Sequence, residues 1–408
     1  MPDRDDALDP FTAAATIDPH PVYRRLRDEA PVRYHASMDA WTVARHADVV
    51  AVLRDARTFS SELGMGELMS GRLVPGQAPM PSMSDAMGQL RLVIAADPPD
   101  HTRLRRLVSA PFGPREIAPL EPRIRALCDA LVDDLLAAEE PDIIGHVGWP
   151  LPVVVIAEVL GIPPERRDDF KRWSTDMVGG LSGELDLSQR QQSAIELFEF
   201  FTAAIAARQL APGTDAISFL VSKASVFEGD DQLTVPELVA FCILLLIAGN
   251  ETTTNLVGNA IHGFFDHPEQ WALLLADPER AGPAVEELLR FDGPVKAIMR
   301  MPADEARIGE VVIPAGARVM PLFSSANRDP SVFDDPDTLD IGRNPQDHVA
   351  FGFGIHHCLG APLARMEARI LFETLAARGV TLEPRRPATP VVSPILRGFT
   401  DVPVAVVR

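Results

Sequence analysis

The chain has 408 residues, 46% of them hydrophobic and 24% charged, the composition of an ordinary globular protein with a substantial core. Its net charge of −20 disfavours nucleic acid as a partner, because phosphate binding needs a basic surface. Three cysteines, odd in number and far apart, exclude a disulfide framework and point to a reducing cytoplasm.

The N-terminal MPDRDDALDP carries neither a basic n-region nor an apolar h-region, so no signal peptide or membrane anchor is expected. Helical spacing at Val22, Tyr23 and Leu26 gives way to alternation around Val32–Tyr34 and Trp41–Val43. A hairpin is predicted there, with a helix from Ala47 to about Arg54. The stretch from Ser60 to Arg91 is rich in Gly, Ser and Pro and predicts irregular structure. It contains Met65, Met69, Met80, Met83 and Met87, which fit either a surface loop or a plastic apolar lid. From Glu121 to Leu136, Ile124, Leu127, Cys128, Leu131 and Leu135 repeat at helical spacing, which makes Cys128 a core thiol. Cys242, in the apolar run Leu238–Ala248, reads the same way. That run would span about 16 Å as a helix, short of a bilayer core, and a polar string interrupts it, so no membrane span is expected.

Further helical patterns cover Pro152–Leu160, Glu165–Thr175, Ile195–Arg208 and Pro236–His267, the last opened by a capping box at Thr234 and Glu237. Short alternating segments occur near Arg307–Ile313, Arg318–Leu322 and the C-terminus. With no internal repeat and no linker, the expectation is one mixed, mainly helical domain over residues 1–408.

The most informative string is Phe351-Gly-Phe-Gly-Ile-His-His-Cys-Leu-Gly360. Three glycines surround one cysteine, and glycine is what a backbone needs to approach a flat ligand. A helical pattern follows through Leu363, Met366, Ile370 and Leu371, which puts Cys358 near a helix N-terminus, where a thiolate is stabilised. A buried structural cysteine would not need the glycines. Adjacent His356, His357 and Cys358 cannot converge tetrahedrally on zinc. A cysteine nucleophile would need a base and an oxyanion hole that the sequence does not offer.

The string resembles the haem-binding signature of the cytochrome P450 superfamily, the haem-thiolate monooxygenases, and the similarity extends along nearly the whole chain. The resemblance implies a mainly α fold with small β-sheets, with haem b between a long central helix and the helix after the cysteine loop. Cys358 would ligate the iron, with Phe351, Gly352, His356 and Gly360 cradling the macrocycle. The string Ala248-Gly-Asn-Glu-Thr252 interrupts an otherwise apolar helix, and a buried carboxylate there costs stability. The competing reading is that Glu251 simply faces solvent on an amphipathic helix. The resemblance instead makes Gly249 a groove for dioxygen, Thr252 its hydrogen-bonding partner and Glu251 a proton relay.

Glu287 and Arg290 are spaced i, i+3 on a predicted helix Ala284–Phe291. By resemblance they join Arg343 in a buried ion network behind the cysteine loop. His101, Arg105, Arg300 and His356 would hold the haem propionates. Leu245, Ala248, Val295, Ala297, Ile298 and Phe399 would line the substrate pocket, which suits an apolar terpenoid, steroid, fatty acid or macrolide. Lys296 is unusual in that segment, and is expected to point to solvent or to meet a substrate carboxylate.

The implied reaction is insertion of one oxygen atom from O2 into a C–H or C=C bond. NAD(P)H would supply electrons indirectly, through a separate ferredoxin or flavodoxin and its reductase. An acidic donor would need a local basic patch, for which Arg103, Arg106, Arg115, Arg365 and Arg369 are candidates unless they pair with acids such as Glu367 and Glu373. A peroxide-driven, coupling or isomerising enzyme and a non-catalytic haem sensor are the competing classes, the intact Glu251–Thr252 pair speaking against the sensor.

Overall fold

The structure, a computed structural model, describes residues 6–69, 92–179, 187–226 and 232–407. In chain order come α1 (Ala13–Ile17), α2 (His20–Glu29), β1 (Val32–His35), β2 (Ala40–Val43), α3 (His46–Arg54) and α4 (Ser61–Met69). Then follow α5 (Asp100–Val108), α6 (Glu121–Ala137), α7 (Pro150–Val159), α8 (Arg167–Gly179), α9 (Leu187–Leu210) and α10 (Ala216–Val226). Next are α11 (Val235–Asp266), α12 (Pro268–Ala276) and α13 (Ala281–Asp292). The strands β3 (Ala306–Ile308), β4 (Val311–Ile313) and β5 (Arg318–Pro321) precede α14 (Ala361–Ala377), and β6 (Thr381–Pro384), β7 (Phe399–Asp401) and β8 (Val404–Val407) follow it. The fold is mainly helical with small sheets, as the hydrophobic periodicity predicts.

Contacts divide the chain into two compact units, each threaded by the chain more than once. The first comprises residues 1–102, 286–358 and 391–397. Its sheet starts from the predicted hairpin, in which β1 and β2 run antiparallel with Val32 opposite Val43 and Tyr34 opposite Trp41. The Tyr34 and Trp41 rings meet at 5.6 Å, an aromatic cross-strand pair. Strand β5 joins β2 in parallel, and Arg300 is bridged to Val319 of β5 by two backbone hydrogen bonds of 2.8 Å. One apolar cluster gathers Tyr23, Leu26, Met65, Met299 and Met320 beside this sheet. A second gathers Val49, Leu53, Ile313 and Phe323.

The stretch after Ser60 is not irregular from its start, because Ser61–Met69 form α4. Its first turn is held by side chains: Ser61 N donates to Asp97 Oδ1 at 2.8 Å and Leu63 N to Ser60 Oγ at 3.0 Å. That capping offsets the cost of Gly64 and Gly66 inside the helix. Met65 is a core residue, while Met80, Met83 and Met87 lie outside the described residues.

The second unit comprises residues 103–285, 359–390 and 398–408, with α11 as its axis. The capping box is formed: Glu237 N donates to Thr234 Oγ1 at 3.3 Å and Thr234 N to Glu237 Oε2 at 2.8 Å. The Leu238–Ala248 run turns out to be part of a 32-residue helix, long and apolar enough to cross a membrane by length and composition. Most of that helix is instead buried against α7, α8, α9, α12 and α14. Helix α6 packs on α14 and buries Cys128 between apolar neighbours. Burial pushes the Cys128 thiol up to about 12 and raises Cys242 as well, so neither ionises near neutral pH.

Candidate active site

The cysteine loop is a tight coil in the first unit. Gly352 and Gly354 both adopt φ of +72°, a region that residues with a Cβ rarely enter. At Gly354 a Cβ would also stand 2.8 Å from Leu53 O of α3. With these two turns in place, Cys358 N donates to Phe351 O at 2.9 Å and His357 N to Gly354 O at 3.1 Å. Cys358 is exposed, unlike Cys128 and Cys242. It precedes Gly360, the N-cap of α14, by two residues. A Cβ at Gly360 would meet nothing within 4 Å.

Behind this loop, Glu287 and Arg290 of α13 are both 0% exposed and bound in a two-pronged pair with both distances 2.7 Å. Arg343 Nε reaches the same carboxylate at 3.2 Å, and Asp340 N donates to it at 3.0 Å. Arg290 also donates to the carbonyls of Pro336 at 2.8 Å and Asn327 at 3.0 Å. Asn327 then accepts from Val349 N through its side chain at 2.7 Å. This residue, which sequence reasoning missed, ties the ion network to Val349, two residues ahead of the cysteine loop. No local spacing marks it, because its partners lie 37 and 22 positions away.

Two histidines and an arginine assemble in the same unit. The His101 and His356 rings lie 4.2 Å apart, and His356 Nε2 is 2.9 Å from the hydroxyl of Ser61. Ser61 carried no signal in the sequence. Arg300 is 4% exposed and donates to Met299 O at 2.9 Å, with no carboxylate in ion-pair range among the described residues. Burial lowers its guanidinium to about 10, and the charge of Asp97 opposes that shift. Arg105 sits half-buried in the last turn of α5, four positions from His101.

In the second unit, α11 is buried along most of its length but stays partly open at Leu245, Ala248, Gly249 and Thr252. Their spacing of i, i+3, i+4 and i+7 puts all four on one helix face. Thr252 Oγ1 donates to Ala248 O at 2.6 Å, so the hydroxyl proton is committed and its oxygen is left to accept. Burial pushes the Glu251 carboxyl up to about 7, although part of its side chain remains open. A Cβ at Gly249 would lie 3.0 Å from Ile156 Cδ1, so the glycine lets α7 pack closely against α11.

The pocket expectations divide. Leu245, Ala248, Val295 and Ile298 keep open surface. Ala297 does not, since it belongs to the core cluster around Met299 and Met320. Phe399 is buried and stacks on His262 at 4.6 Å, more than two helical turns beyond Thr252 on α11. Lys296 neither faces solvent nor waits for a carboxylate: it is 1% exposed and donates to Thr16 O at 2.7 Å. Burial, with Arg397 nearby, lowers its ammonium to about 7.

Of the basic candidates, Arg103 is paired with Glu237 and donates to Gln232 O at 2.9 Å. Arg369 binds Glu373 at 2.7 Å and Glu121 at 3.0 Å, and Arg125 bridges the same two acids, which closes a four-membered ion ring between α6 and α14. Arg106 and Arg115 are exposed.

The chain is similar to known proteins along nearly its whole length. The family described as Cytochrome P450 matches residues 283–378, from α13 through the cysteine loop and α14. The chain is 38% identical over 402 residues to Cytochrome P450 107B1 of Saccharopolyspora erythraea, covering 97% of this chain and 96% of that one. It is 39% identical over 373 residues to Vitamin D(3) 25-hydroxylase of Pseudonocardia autotrophica, covering 90% and 88%. Its fold superposes on Cytochrome P450 CYP109Q5 from Chondromyces apiculatus with a TM-score of 0.86 and 37% identity, over 98% of this chain and 97% of that one. An exposed cysteine in a glycine-turned loop, backed by a Glu-Arg network and accompanied by this likeness over the full length, places the chain in the cytochrome P450 superfamily, as a bacterial-type monooxygenase.

Proposed function

We propose that this protein holds haem b through the thiolate of Cys358 and inserts one oxygen atom of O2 into an apolar small molecule in the cytoplasm. Electrons come from NAD(P)H through a separate ferredoxin, or flavodoxin, and its reductase, and residues 1–408 act as one haem domain. The observation that carries this reading is the contrast among the cysteines. Cys128 and Cys242 are buried as neutral thiols, whereas Cys358 is exposed on a loop whose backbone is turned back on itself.

The surrounding residues fit the group. Arg300 is a buried cation with no acid in ion-pair range among the described residues, a costly state that an anionic propionate would relieve. His101, His356 and Arg105 supply further donors, and Phe351 and Gly352 shape the loop. The uncrowded Cβ position of Gly360 leaves room for a flat ring. When bound, the haem supplies the one-electron and oxygen chemistry that side chains cannot perform.

The chain's own part is to hold the thiolate, exclude competing partners and move protons. Glu287, Arg290 and Asn327 fix the cysteine loop, so that the thiolate is presented in one geometry. Thr252 offers an oxygen acceptor on the open face of α11. Glu251, held near 7, exchanges its proton with solvent and passes it on at neutral pH. Leu245 and Ala248 offer apolar surface to the substrate, and the related Vitamin D(3) 25-hydroxylase supports a steroid-like molecule among the candidate classes.

The test is isotopic. Steroids, terpenoids, fatty acids and macrolides are screened by the shift each causes in haem absorption, and the best binder is turned over under 18O2 with NADPH, ferredoxin and reductase. The expected product carries one 18O atom. A product formed with peroxide alone, but not with O2 and electrons, would establish the peroxygenase class instead. A spectral shift with no product under either regime would leave a sensor.

A further inference from the structure

Helix α4 touches the residues assigned to the haem propionates at two points. Ser61, its first residue, is 0% exposed and has its hydroxyl 2.9 Å from Nε2 of His356. Gly64, one turn on, lies so close to the backbone of Met299 and Arg300 that a Cβ would come within 2.6 Å of Arg300 Cα and 2.7 Å of Met299 O. The helix start is itself immobilised, because Asp97 accepts from both Ser61 N and the Ser60 hydroxyl, and Ser60 Oγ accepts from Leu63 N. The His356 ring in turn lies against that of His101, tilted by 56° with centroids 4.2 Å apart. One capped helix end therefore braces an imidazole through a hydroxyl and the guanidinium-bearing segment through backbone contact.

We propose that Ser61 is a positioning residue for the haem: through its hydroxyl it fixes the His356 ring against a propionate, and so governs how tightly the cofactor is kept. This rests on the haem-thiolate reading above. An imidazole on a short loop can rotate about two side-chain bonds, and a hydrogen bond to one ring nitrogen restricts both. The serine is suited to this because its own backbone is pinned by Asp97, so the restraint is passed from a capped helix and not from another mobile group. Ser60 provides an internal control, since it caps the same helix and makes no contact with His356.

The experiment uses the holoprotein and follows haem transfer to excess apomyoglobin for the parent, Ser61→Ala, Ser61→Thr and Ser60→Ala. Each is reconstituted with haem and, separately, with haem dimethyl ester, whose propionates are blocked. Amide exchange over residues 61–69 monitors α4. With native haem, Ser61→Ala should lose the cofactor about tenfold faster, the scale of one charge-assisted hydrogen bond. With the dimethyl ester the two proteins should lose it equally fast. Ser61→Thr should restore the parent rate, and Ser60→Ala should loosen α4 without hastening native haem loss. Equal rates for parent and Ser61→Ala with native haem would overturn the proposal. So would an acceleration of the same size with the ester, or one matched by Ser60→Ala, since either would mean a general loosening of the helix. A parent protein that takes up no haem at all would defeat the cofactor assignment itself, a distinct outcome.

Discussion

Thr252 spends its hydroxyl proton on Ala248 O, and burial raises the Glu251 carboxyl to about 7. These two facts give separate predictions. Thr252→Ala keeps the helix and its apolar face, so haem and substrate should still bind while reducing equivalents are diverted to hydrogen peroxide. Glu251→Gln removes the exchangeable proton and should slow product formation by about a hundredfold, the lower range for a positioned proton donor. The raised value means Glu251 is mostly protonated below about 7 and mostly ionised above it. Product formed per NADPH should therefore fall as pH rises through about 7 in the parent and stay level in Glu251→Gln; parallel pH profiles would exclude Glu251 as the donor. At this scale the sequence was informative where chemistry repeats locally, as at Cys358 and Glu251–Thr252. It was silent where a side chain finds its partner across the fold. Lys296 meets Thr16, 280 positions away, and a lysine beside pocket residues gave no hint of that contact.

Helices α13 and α14 each carry a buried acid, in opposite circumstances. Glu287 is fully paired, so Arg290→Ala should cost about 3 kcal/mol by leaving the buried carboxylate with Arg343 and Asp340 N alone, measured as the shift of a denaturant unfolding curve. Arg290→Lys should recover little of this, because a single ammonium cannot replace the two-pronged pair and three carbonyl contacts. Glu367 of α14 is also buried, but one of its oxygens has no hydrogen-bond partner among the described residues. Burial pushes its carboxyl up to about 8 from an ordinary value of 4.5. A folded-state value raised in this way contributes stability that is complete below the unfolded value and is lost as pH climbs through about 8. Glu367→Gln should thus melt progressively higher than the parent between about pH 5 and about pH 9; a constant difference would show that Glu367 does not titrate there. Among the elements, α11 was legible from its capping box and apolar run, and the β1–β2 hairpin from its alternation. Helix α4 was not, because two glycines conceal its period and one of them serves a contact with the Arg300 backbone that no window of sequence contains.

At the scale of the molecule, a net charge of −20 would repel the acidic ferredoxin of the proposed reading at long range, and its docking would depend on basic groups at the surface. Arg103 and Arg369 are paired with Glu237, Glu373 and Glu121, and of that set Arg106 and Arg115 are exposed. Raising the ionic strength should slow the first reduction, and Arg106→Glu with Arg115→Glu should weaken ferredoxin binding about tenfold. Reduction that speeds up with salt, or unchanged affinity in the double variant, would exclude this surface. The expectations for activity and docking presume a thiolate-ligated haem, and one spectrum addresses that directly. The reduced carbon monoxide complex of the purified protein should absorb at about 450 nm, with the band retained in Cys128→Ala and lost in Cys358→Ala. A band at about 420 nm in the freshly prepared, folded parent, unmoved by substrate, or a band at about 450 nm that survives Cys358→Ala, would contradict the account.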